Sequence, residues 1–142
     1  MANIYVEFQF VSWYAVQTDE YEYQSAWYVE LKDEIRPKII KKAFDLNTAI
    51  VELHSHVHLG PAGFSESDLH GLYDFVPHVR WRLKGKPYAA IVISRSDFDG
   101  LVWMNGNKEP QQLNGLKVDG KKFYSNGITL TNLSQDHEYR SF

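Results

Sequence analysis

The chain of 142 residues contains no cysteine. That excludes a disulfide framework and a thiolate metal site, and leaves histidine and carboxylate as the ligands a transition metal could use. Long apolar runs are also missing: none approaches the roughly 20 residues needed to span a bilayer. The opening MANIYVEFQF lacks the charged-then-apolar layout of a signal peptide. A cytoplasmic location is therefore expected. There is no basic excess either, since fifteen Lys and Arg face eighteen Asp and Glu. Lys41-Lys42 and Lys121-Lys122 are too short to form a basic stripe, so neither nucleic acid nor a membrane is an expected partner. No glycine loop suited to phosphate, no nucleophile elbow and no internal repeat is found, and nothing points to a nucleotide or organic cofactor.

What is present is an ordinary globular composition, 44% hydrophobic and 23% charged, in a length that suits one domain with one core. Val6–Val16 and Ser25–Leu31 read as strands rich in aromatic and β-branched residues. Asp33 is placed to cap a helix over about Glu34–Leu46, whose Ile35, Ile39, Ile40, Ala43 and Phe44 recur at helical spacing, with Asn47 at its end. Thr48–His54 reads as a buried strand. Gly60–Phe64 forms a loop, and Ser65 opens a second helix with Leu69, Leu72, Tyr73 and Val76 on its inner face, stopped or bent near Pro77. Pro87–Ser94 is the clearest core strand. The turn Ser96-Asp97-Phe98-Asp99-Gly100 leads into Leu101–Met104, and the remainder reads as short strands at a sheet edge. This order predicts a single α/β (α+β) domain over 1–142 with a mixed central sheet flanked by helices.

The segment His54-Ser55-His56-Val57-His58-Leu59-Gly60-Pro61-Ala62-Gly63-Phe64-Ser65-Glu66-Ser67-Asp68 carries the chemistry. On an extended strand, residues i and i+2 project from one face, so His54 and His56 can point at a single metal. The glycine-bearing loop lets the chain fold back, so that a carboxylate on the next helix adds a third ligand. Two imidazoles and one carboxylate leave a fourth position open, the pattern of catalytic rather than structural zinc. Each part has an ordinary alternative. Strand histidines are often merely packed, and Ser65 with Asp68 is equally a helix-capping pattern. His56 and His58 form a second, overlapping pair.

The stretch resembles the signature of the JAB1/MPN-domain (JAMM) metalloproteases, a strand-terminal HxH followed by a loop and SxxD. The similarity continues through Ala26-Trp27-Tyr28-Val29-Glu30, Val51-Glu52-Leu53-His54, Pro77–Leu83 and Pro87-Tyr88-Ala89-Ala90, and so takes in most of the chain. The chain looks like a member of a bacterial JAB subgroup associated with ubiquitin-like conjugation systems. The resemblance implies an MPN-type fold with one Zn2+ on His54, His56 and Asp68, and Ser65 assisting the oxyanion. The implied activity is cleavage after the C-terminus of a ubiquitin-like protein, with E1-like and E2-like proteins as possible operon neighbours. A catalytically inactive binding module and a sulfur-carrier-protein peptidase are the alternatives on the same fold.

This chain departs from the family pattern in three ways. Val57 stands where the signature usually has proline, and the step from His56 to Asp68 is longer than usual. No leading helix precedes the first strand, which is more similar to the family's second, so the general-base glutamate has no matching context. Glu7 is the candidate for that role. Glu52 is expected behind the metal as a partner of the ligands, and a base lying before Met1 stays open. Finally, no insertion stands out to grip a ubiquitin-sized partner. Tyr14, Tyr21, Tyr23, Trp27 and Trp81 are the aromatic candidates for such a surface.

Overall fold

Tyr88–Ile93, the most apolar stretch of the chain, is the strand around which the fold is organised. The computed structural model describes residues 6–24, 29–56, 60–104 and 106–140, with side chains outside 22–30 and 136–140. In chain order the elements are β1 (Tyr21–Gln24), β2 (Val29–Leu31), α1 (Ile35–Leu46), β3 (Ile50–Ser55), α2 (Glu66–Arg82), β4 (Tyr88–Ile93), β5 (Phe98–Trp103), β6 (Gln111–Gln112), β7 (Gly115–Val118), β8 (Lys121–Tyr124) and α3 (Ile128–Arg140). The central sheet has the order β3-β4-β5-β6, with β3 and β4 parallel and the other pairs antiparallel. A parallel neighbour requires a crossover, and α2 provides it. Hairpins β1–β2 and β7–β8 complete a mixed α/β (α+β) fold.

β4 and β5 are buried almost throughout, as the continuous apolar run of β4 requires. One layer of the core joins Tyr88, Ala90 and Val92 of β4 and Leu101 and Trp103 of β5 to Leu72, Val76 and Val79 of α2 and Ile40 and Ala43 of α1. Tyr88 meets Phe75 and Trp103 edge-on, an arrangement that favours aromatic pairs. Among the described residues, no helix is long and apolar enough to cross a membrane.

Several sequence expectations need correcting. Residues 6–17 are irregular rather than a strand, and the first hairpin instead pairs 21–24 with 29–31 after a 3-10 turn at Thr18–Glu20. The apolar stretch 6–17 meets no pairing strand among the described residues, and Val11 and Trp13 stand exposed. α1 begins after Glu34, not on an Asp33 cap, while Asn47 does close it in the left-handed conformation. Phe44 is half-exposed beneath the Lys84 ammonium, so the inner face of α1 is Ile35, Ile40 and Ala43. α2 passes through Pro77 to Arg82, held on both sides of the proline by buried Val76 and Val79. Tyr73 leaves the inner face and donates its hydroxyl to Glu109 at 3.0 Å.

The largest surprises lie in the second half. Asp99 and Gly100 belong to β5, not to the turn before it. Asp99 is 0% exposed, and its carboxylate accepts from the backbone N–H groups of Gly100 (2.9 Å) and Thr129 (3.0 Å) and the Gln112 amide (2.9 Å). A fully hydrogen-bonded carboxylate can occupy a buried strand position where a lone one could not. Gly100 is needed beside it, because a Cβ there would lie 2.6 Å from Leu113 Cδ2. The C-terminal stretch read as edge strands ends instead in α3.

Candidate metal centre

On β3, Leu53 and Ser55 face outward while Glu52 and His54 turn toward the body of the protein. His54 is in register with Val92 and Ser55 with Ile93, and the His56 N–H donates to the Ile93 carbonyl at 2.9 Å. The chain is therefore still tied to β4 one residue past the strand, and the two imidazoles meet with ring centroids 5.1 Å apart. After the loop, Ser65 caps α2. Its Oγ accepts the Asp68 N–H at 3.0 Å, and Asp68 Oδ2 accepts the Ser65 N–H at 2.9 Å. This reciprocal cap fixes the Asp68 side chain. The same Oδ2 lies 3.2 Å from His56 Nε2 and 3.5 Å from His54 Nε2.

This geometry fits a metal. Two ligand atoms each about 2.0–2.1 Å from a tetrahedral zinc lie roughly 3.3 Å apart, and the two observed separations bracket that figure. The three ligand atoms all fall within 4.8 Å of one another. Among the described residues, His54 Nε2 is buried without a hydrogen-bond partner, and its approach to Asp68 is an ion-pair contact. A buried imidazole nitrogen left in this way is suited to a cation.

The electrostatics agree with that assignment. Burial alone would raise the Asp68 carboxyl, but the His54 side chain and the Ser65 N–H and hydroxyl hold it down at about 2. The N-terminus of α2 also favours the anion. Burial lowers the His54 imidazole, yet the Asp68 and Glu52 carboxylates outweigh it and leave its pKa raised. Behind His54, burial pushes the Glu52 carboxyl up, offset in part by His54, the Tyr88 hydroxyl bonded to it and Arg36. Tyr88 is itself pushed well up by burial and by Glu52.

The structure thus brings together His54, His56, Asp68 and Ser65. Glu52 sits on the same strand face as His54, with its carboxyl against the core tyrosine Tyr88. Glu7 is elsewhere: it is exposed on the irregular stretch, and no described contact links it to the three ligands. His58 and Trp27 lie outside the described residues, as does the side chain of Tyr23. Tyr14 is partly buried against Lys38 and Lys42, whereas Trp81 is 77% exposed. Sequence reasoning missed Phe64, whose ring meets the His54 ring edge-on at 5.8 Å. It also missed Asp97, Asn126 and Thr129, which hold the loop between the ligands. Spacing gives no signal for these three, because they lie far along the chain from the residues they hold. Comparison with family models, curated proteins and solved structures gives no match to this chain.

Proposed function

We propose that the chain is a zinc-dependent hydrolase of the JAMM type, acting in the cytoplasm on the isopeptide or peptide bond that follows the C-terminus of a ubiquitin-like protein. The observation that carries the reading is the convergence of His54, His56 and Asp68 on one point beside a capped helix N-terminus. The resemblance of the HxH and SxxD segments to the JAMM signature supplies the substrate class, and E1-like and E2-like proteins are the associated partners. A zinc ion held there supplies a Lewis acid and, near neutral pH, an activated water. The chain's own residues orient the site. Asp68 and the two imidazoles fix the ligand set, and the buried Glu52 carboxylate sets the charge behind His54. The Ser65 hydroxyl, beside the Asp68 N–H it accepts, can turn its proton toward a carbonyl oxygen that gains negative charge. Glu7 is the proposed proton carrier.

The exposed, irregular setting of Glu7 favours a second reading, a catalytically silent binding module for a ubiquitin-like protein. Metal content does not separate the two; turnover does. Metal analysis of the purified chain should find about one zinc per chain, lost in Asp68→Ala. A ubiquitin-like protein fused to a short peptide should then be cleaved by the unaltered chain and not by His56→Ala. Zinc bound without cleavage, matched by binding of the ubiquitin-like protein, assigns the second reading. Absence of zinc after addition sinks the metallohydrolase.

A further inference from the structure

The ligand histidines and Asp68 sit on separate elements, and the loop between them has to be held for their separation to persist. Both backbone polar groups of Ala62, which is 0% exposed, are clamped by side chains from the far part of the chain. Its N–H donates to Asp97 Oδ1 at 2.8 Å, and its carbonyl accepts from Asn126 Nδ2 at 2.7 Å. Asn126 Nδ2 also donates to Asp97 Oδ2 at 2.8 Å, while the Ser94 hydroxyl donates to Asp97 Oδ1 at 2.7 Å. Ala62, Asp97 and Asn126 thus close a ring of hydrogen bonds between the β4–β5 turn, the loop and the residues before α3, and Ser94 braces Asp97 from outside it. Two residues on, the Phe64 N–H donates to Thr129 Oγ1 at 3.1 Å, with Thr129 only 4% exposed. Between them, a Cβ on Gly63 would come within 3.0 Å of Ile128 Cγ2, so the loop lies directly against α3. Phe64 then packs on His54, and Ser65 next to it caps the helix that carries Asp68.

We infer that Asp97, Asn126 and Thr129 are positioning residues for the metal centre, fixing the loop so that Asp68 meets both histidines. The inference rests on the metal-site reading above. None of the three touches the proposed ligands; they act through Ala62, Phe64 and Ser65. Buried backbone groups that lose such partners re-form them by moving the chain, and a metal site tolerates little movement of one ligand against the others.

The test is zinc affinity, measured on the full chain by competition with a chromophoric chelator. The variants are Asn126→Ala, Thr129→Val, Thr129→Ser and, as a control of core packing on α1, Ile40→Ala. Circular dichroism and thermal melting of the metal-free forms accompany each measurement. Asn126→Ala and Thr129→Val should each weaken zinc by at least about tenfold, the range found for groups that orient metal ligands. Thr129→Ser, which retains the hydroxyl, should bind as the unaltered chain does, and Ile40→Ala should lose melting temperature but not affinity. Equal affinity in Thr129→Val and Thr129→Ser, with tight zinc in the unaltered chain, overturns the positioning role alone. A fall in affinity that follows melting temperature across all variants, Ile40→Ala included, also overturns it. An unaltered chain that takes up no zinc overturns the metal centre and with it the inference.

Discussion

His56 Nε2 stands 3.2 Å from Asp68 Oδ2, the oxygen that also accepts the Ser65 N–H. One carboxylate oxygen therefore serves both a helix cap and the proposed ligand set, and the two duties can be separated by substitution. Asp68→Asn keeps an oxygen for the Ser65 N–H but gives up the charge. Asp68→Ala loses both. Asp68→Ala leaves the Ser65 cap on the residue-68 N–H but removes the reciprocal bond from the Ser65 N–H. That loss is smaller than the loss of a whole cap, about 1 kcal/mol, and Asp68→Ala should unfold at lower urea than Asp68→Asn in the metal-free form. Zinc affinity should fall in both, by more than about 100-fold, because even groups behind a ligand are worth about 10–100-fold. Urea titration with and without chelator checks the pair.

The metal-free protein should show a pH window set by the same contact. Asp68 has its pKa depressed from 3.8 to about 2, so its contribution is present above 3.8 and is lost as pH falls through about 2. His54 has its pKa raised above the usual 6.5, so its contribution is complete below 6.5 and is lost as pH rises through the folded value. The combined stabilisation is greatest between those limits. For Asp68 it amounts to at most about 2 kcal/mol, since each tenfold change in proton affinity is worth about 1.4 kcal/mol. Comparing the unaltered chain with Asp68→Asn by denaturant melts from about pH 3 to about pH 8, in chelator, should give a difference that narrows at both ends. A difference that grows steadily with pH would contradict this ion pair.

Zinc uptake should release protons near neutral pH. A metal needs the imidazole neutral, and the carboxylates around His54 hold its proton more tightly than usual. Calorimetric titration in two buffers of different ionisation enthalpy should give apparent enthalpies that differ, with the difference shrinking as pH is raised.

Asp99→Ala should destabilise the fold by about 3 kcal/mol. The substitution strands the buried Thr129 and Gly100 N–H groups, and buried groups without partners cost about 1–3 kcal/mol each, while the Gln112 amide keeps the Gly100 and Leu113 carbonyls and the Ser125 hydroxyl. Equilibrium urea unfolding measures it, and a loss below about 1 kcal/mol would mean that water or a neighbour replaces the carboxylate.

Gly100→Ala tests the closeness of β5 to Leu113. The new Cβ would meet Leu113 Cδ2 at 2.6 Å and Cβ at 2.9 Å, and overpacking of this kind costs about 1–3 kcal/mol. Adding Leu113→Ala should recover part of the loss, so the double variant should melt above the sum of the two single effects.

The convergence of His54, His56 and Asp68 could be read from the sequence because its ordering is local. Strand periodicity puts His54 and His56 on one face, and a serine three residues before an acid marks a helix start, so one short segment names all four residues. α1, α2, β4 and the end of α1 at Asn47 were legible for the same reason. Residues 6–17 were not, because β-branched and aromatic content expresses a fitness for a sheet surface, and a strand also needs an edge to pair with. The turn before β5 misled in the opposite direction. Asp and Gly ordinarily signal a turn, but Asp99 is held inside by donors from α3 and Gln112, and Gly100 is there to admit Leu113. Both facts depend on residues far along the chain.

The clamp on Ala62 also bears on how the protein is made. The three proposed metal ligands leave the ribosome almost together, yet the groups that hold their loop are separated from it by 35, 64 and 65 positions. A nascent chain that has completed β3 and α2 carries every ligand but lacks the braces from Asp97, Asn126 and Thr129. Alignment of His54, His56 and Asp68 must therefore wait until α3 has been made and has docked, well after these three residues have themselves been synthesised.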